Sequence, residues 1–151
     1  MYSKDQASQL KQAFWTAFGQ YMGPVLSADS LRINWINYKT GVKHIFFKMQ
    51  ADSKHATIAI ELSHPDIELQ QLFFEQFESY KSMLHDTLGE EWDWQLHTTD
   101  DYGKTISRIC AELRPVSIFQ KEDWPMLISF FKPRIIALDE FWSMAKPAFE
   151  V

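Results

Sequence analysis

The chain has 151 residues, 46% of them hydrophobic and 23% charged. That composition excludes a disordered or collagen-like polymer and supports a single domain over residues 1–151 that buries roughly 70% of its unfolded surface. Fifteen basic against twenty acidic residues leave a net charge of −5, which opposes nonspecific polyanion binding, and the single cysteine, Cys110, excludes an internal disulfide.

In chain order, the opening Met1-Tyr2-Ser3-Lys4-Asp5 lacks the basic and then apolar order of a signal peptide. Ser3-Lys4-Asp5-Gln6 has the spacing of a capping box. Leu10, Phe14, Ala17, Phe18, Tyr21 and Met22 then recur at three- and four-residue steps, which predicts an amphipathic helix ended by Gly23-Pro24. The longest charge-free stretch, residues 12–28, is broken by Gln20, Gly23 and Pro24 and is a poor membrane span. A protein of the cytoplasm, away from membranes, is expected.

Three strand-like runs follow, residues 31–38, 42–49 and 55–62, in which apolar and polar residues alternate. Their short joins predict an antiparallel meander. Ser63-His64-Pro65-Asp66 opens a helix predicted to reach about residue 88, with Leu69, Leu72, Phe73, Phe77, Tyr80 and Leu84 on one stripe and Gly89 as its stop. Residues 92–96 and 106–113 read as two further strands. A last helix begins near Glu122-Asp123-Trp124-Pro125, and Pro133 inside its apolar pattern predicts a kink or restart. The order predicts an α+β fold in which an antiparallel sheet, a three-stranded meander plus a later strand pair, packs against helices.

The segments Phe14-Trp15-Thr16-Ala17-Phe18-Gly19-Gln20-Tyr21-Met22, Gly41-Val42-Lys43-His44-Ile45-Phe46-Phe47-Lys48-Met49 and Leu88-Gly89-Glu90-Glu91-Trp92-Asp93-Trp94 resemble a bacterial family, domain of unknown function 4268. Asp123-Trp124-Pro125 and Phe131-Lys132-Pro133-Arg134 extend the resemblance over nearly the whole chain. It implies a small bacterial domain, sometimes standing alone and sometimes joined to a nuclease-like domain. It implies no catalytic residues.

That association directs attention to metal-dependent nuclease chemistry, which needs clustered carboxylates and a nearby base. Glu112-Leu113-Arg114 with Asp100 and Asp101 is the nearest approach, but arginine stays protonated and cannot act as the base. The sets His64, Asp66, Glu68 and His97, Asp100, Asp101 are weak metal candidates that serve as readily to cap helices and fill turns. Cys110, among Ile106, Ile109 and Leu113, reads as a buried small hydrophobe. The glycines are isolated, so no phosphate loop, and with it no cofactor, is expected.

Two binding surfaces remain. The alternation puts Arg32, Asn34 and Tyr38 on one side of the first run and His44, Phe46 and Lys48 on one side of the second, a mixture of cations and rings that on one sheet face would suit nucleobases and phosphates. The aromatic content, 15% of the chain, exceeds what one sheet is expected to bury, which offers Trp92, Trp94, Trp124 and Trp142 as anchors for a protein partner or a homodimer. The leading expectation is a non-enzymatic protein-interaction or scaffold domain. The alternative is a nucleic-acid-binding accessory to a nuclease or defence system, disfavoured by the net charge.

Overall fold

The computed structural model describes residues 3–150, so Met1 and Tyr2 of the leader reading lie outside it. The first helix, α1 (Lys4–Met22), starts as the sequence predicts: the Ser3 hydroxyl accepts from the Gln6 N–H and the Gln6 side chain accepts from the Ser3 N–H. Its apolar stripe buries Phe14, Phe18 and Met22.

Strands β1 (Ile45–Ala51) and β2 (Ala56–Leu62) follow as an antiparallel hairpin. Asp52 makes its turn, one carboxylate oxygen accepting from the Lys54 and His55 N–H groups. The chain then crosses through α2 (Ile67–Ser79) and α3 (Lys81–Leu88) before β3 (Asp93–Thr99) and β4 (Thr105–Leu113) close the sheet. Asp100 and Gly103, the latter at φ +80°, shape the β3–β4 turn. The last long helix is α4 (Trp124–Ala145).

The sheet is antiparallel with four strands in the order β1-β2-β4-β3, so the α+β class holds. The meander does not take the expected form. Residues 31–38 are loop, which leaves β1 an edge strand, and β2 lies between β1 and β4. The alternation there reflects separate anchors instead of a pleat: Trp35 donates from Nε1 to the Val25 carbonyl, and Asn34 accepts from the N–H groups of Ile36 and Asn37, an Asx turn that ends extension. Leu31 is 61% exposed.

Two helix expectations also change. The helix predicted to about residue 88 divides at Tyr80, whose φ of −107° and ψ of 15° leave helical geometry, and Gly89 at φ +72° stops α3. Helix α4 runs through Pro133 as one helix, which removes the restart from the kink or restart expected there, and the leucines and phenylalanines on both sides of it are packed into the same core.

Side-chain alternation gives the sheet two unlike faces. Phe47, Ile60, Ile109 and Trp94 are register partners on the face against α2 and α4, and Phe46, Glu61, Arg108 and Gln95 are register partners on the other. Rings fill the covered side: Phe14 and Phe18 lie within 6.4 Å of Phe131, while Phe77 meets Phe141, Trp142 and Phe149. Among the described residues the exposed aromatics are Tyr21, Phe46 and Tyr102, so the expected aromatic surplus is absorbed by the core.

Candidate functional site

The residues expected on one sheet face are dispersed. Arg32 lies in the α1–β1 loop and donates to the Gly23 carbonyl at 3.3 Å. Asn34 makes its turn, and Tyr38 stacks on Phe47 at 5.0 Å on the helix-covered side. Only Phe46 and Lys48 share the open face, where the Lys48 ammonium stands 2.6 Å from Glu61 and 5.4 Å from the Phe46 ring centre. Glu61 beside the ammonium offsets the positive potential that would attract a phosphate to this face.

The four tryptophans are equally occupied. Trp142 is buried and donates to the Thr40 carbonyl at 2.7 Å, and buried Trp92 donates to Glu90 at 3.0 Å. Trp124 is half-buried, donates to the Ile118 carbonyl and meets the Phe14 ring. Trp94 is half-buried between Phe74 and His85, with Lys81 over its ring. These indoles hold the protein's own core and turns, and the two buried ones present no face to a partner.

The remaining residue of the expected set, His44, leads to an open groove of about 830 Å³ between the entry to β1 and the outer side of α2. His44 precedes β1 with φ at +69°, and its ring meets that of His64 at 4.6 Å. The backbone fixes this pair: the Ser63 N–H donates to the His44 carbonyl at 3.0 Å. Asp66 caps α2 by accepting from Glu68 and Leu69, and its own N–H donates to His64 Nδ1, which leaves the proton of a neutral ring on Nε2.

A buried polar network stiffens the wall behind the pair. Gln70 Nε2 donates to the carbonyls of His64 and Thr105, and its Oε1 accepts from the Ser107 hydroxyl at 2.6 Å. Every polar atom of that amide side chain is therefore used in joining α2, β4 and the His64 turn.

The groove carries two kinds of surface. Leu69, Leu72, Phe73, Val42 and Phe149 give an apolar lining, and the Lys43 ammonium with the His44 and His64 imidazoles gives a polar side, with Glu150 also in the lining. Burial lowers the His44 pKa below its ordinary value, helped by the neighbouring His64, Lys43 and Lys104.

Leu69 and Leu72 are 42% and 59% exposed, which corrects the single core stripe expected for this helix. The residues that α2 buries are Gln70, Phe74 and Phe77. A signal for this was present in Leu72-Phe73-Phe74, three consecutive apolar residues that span more than one helical face.

Among the described residues no three His, Cys, Asp or Glu side chains gather in a group able to hold a metal ion, so neither histidine–carboxylate set assembles one. Glu112 pairs with Arg114. Cys110 is buried on the open face, and burial pushes its thiol pKa up, away from the reactive thiolate. No described helix is long and apolar enough to cross a membrane.

No curated protein and no solved structure matches the chain. The family described as domain of unknown function (DUF4268) matches residues 10–146, almost the entire length and every strand of the sheet. The chain belongs to that family.

Proposed function

We propose that the protein is an interaction domain whose groove between His44 and α2 takes a short segment of a foreign protein bearing apolar side chains beside carboxylates. One observation carries this reading: Leu69 and Leu72, exposed on α2, share a groove with Lys43, His44 and His64, whereas the rest of the chain is net acidic. Exposed leucines at i and i+3 match the anchor spacing by which helices and grooves recognise apolar residues, and the Lys43 ammonium with the imidazole N–H donors complements acids alongside. The preceding wall is held by Gln70, so the groove is preorganised.

The test uses a fluorescein-labelled peptide with two leucines one helical turn apart flanked by glutamates, its lysine-flanked counterpart and its serine-for-leucine counterpart. The acidic apolar peptide is expected to bind best, and Leu72→Asp, at an exposed position, to weaken it by about tenfold without altering the fold. Equal binding of the lysine peptide, or no saturation of any peptide up to about 1 mM, overturns the reading. Self-association abolished by Leu72→Asp would make a second copy the occupant. Oligonucleotide binding indifferent to Leu72→Asp would favour the nucleic-acid role instead.

A further inference from the structure

A second cavity, of about 440 Å³, lies between the α1–β1 loop and the C-terminal part of α4, and its lining is unlike that of the groove. At its base Asp139, only 5% exposed, accepts from the Tyr38 hydroxyl at 2.6 Å and from the Ala28 N–H at 2.7 Å. Burial and the Asp139 carboxylate both raise the Tyr38 pKa, so that phenol stays a donor. A carboxylate has about four acceptor positions, and these two bonds leave capacity unused.

No Lys, Arg or His among the described residues comes within 4.0 Å of Asp139, although a buried carboxylate ordinarily requires a counter-charge. The cations are nevertheless in the same cavity. Lys39 and Lys146 line it, as do two further acids, Asp29 and Glu150, and neither lysine makes an ion pair with any of the three carboxylates. Charges of both signs therefore face a space that none of them closes. Leu31, largely exposed, adds an apolar side to the opening.

We propose that this cavity binds a small zwitterion of the α-amino-acid class, its ammonium held by Asp139 with Asp29 and its carboxylate by Lys146 with Lys39. The volume suits a small molecule, and a ligand carrying both charges satisfies both walls where a simple cation or anion would leave one unmatched. The site adjoins the groove at Glu150, which lines both, but none of the residues proposed to hold the zwitterion lies in the groove, and the proposal does not depend on the interaction reading.

The test is calorimetric titration of the full chain with each free L-amino acid, followed by the amide and the N-acetyl derivative of the tightest binder. Saturable binding of at least one free amino acid is expected, with a loss of about tenfold or more on blocking either charged group. Lys146→Met is expected to weaken the free amino acid by a similar factor while leaving its amide unchanged, and circular dichroism checks that the variant is folded. The proposal is overturned by an absence of saturable binding up to about 10 mM, by an amide that binds as tightly as the parent, or by a folded Lys146→Met protein with unaltered affinity.

Discussion

The two faces of the sheet are built by the same four strands in the same register, yet they are stabilised in different ways. On the covered face Phe47 is buried against Tyr38 and Trp142, and its neighbours are rings and branched aliphatics. On the open face Phe46 stays 43% exposed under the ammonium of Lys48, itself drawn to Glu61. Adjacent residues thus meet opposite environments. The difference teaches that alternation alone assigns side chains to faces, whereas the helices decide which face becomes core.

The comparison is broken most directly by truncating the two adjacent rings. Phe47→Ala is expected to cost about 3–5 kcal/mol in urea unfolding, through lost transfer energy and a cavity, and Phe46→Ala less than about 1 kcal/mol. Similar losses at both positions would show that the open face is covered in solution.

A smaller effect is expected where the covered side ends in a polar network. Gln70→Ala removes the partner of the Ser107 hydroxyl and of two carbonyls at once, and should cost about 2–3 kcal/mol, read from the same unfolding curves. A loss near zero would mean that water replaces the amide without penalty.

Ion pairs sharpen the contrast further. Arg134 on α4 grips Glu90 with two bonds, at 2.7 and 3.0 Å, beside the start of β3. Burial opposes ionisation of Glu90, but hydrogen bonds from Arg134 and Trp92 and the guanidinium charge outweigh it and hold the carboxyl below its ordinary range. A depressed carboxyl pKa stabilises the fold above the unfolded value, and that contribution disappears as pH falls through the folded value. Arg134→Ala should therefore cost about 1 kcal/mol at neutral pH and flatten the acid limb of a stability–pH profile, the exposure of both groups keeping the effect modest. Lys48→Ala on the open face should change stability by less than about 0.5 kcal/mol at any salt concentration.

Much of this architecture is legible in the chain itself, for local reasons. The Ser3–Gln6 box, the Asp52 turn and Gly89 each determine structure within a few residues, so the first helix, the β1–β2 hairpin and the end of α3 follow from short-range chemistry. The loop of residues 23–44 does not, because Tyr38 and Thr40 obtain their partners from Asp139 and Trp142 of α4. Period-two alternation resembles a strand whenever such anchors happen to fall on alternate positions. Of the surface residues expected from pattern, His44 reaches the groove, while Leu69 and Leu72 were indistinguishable from core without knowing which arc of α2 meets the sheet.

The bonds from Ala28 and Tyr38 to Asp139 join residues more than a hundred positions apart in the chain. During synthesis the loop is made early and its anchor late, so the ribosome must deliver α4 before residues 23–44 can settle. Until then Ile33 and Trp35, which pack into the finished core, lack the helix that completes it, and the nascent chain has an interval in which chaperones or proteases can reach them. A premature stop ahead of α4 would consequently expose a defect near the amino terminus.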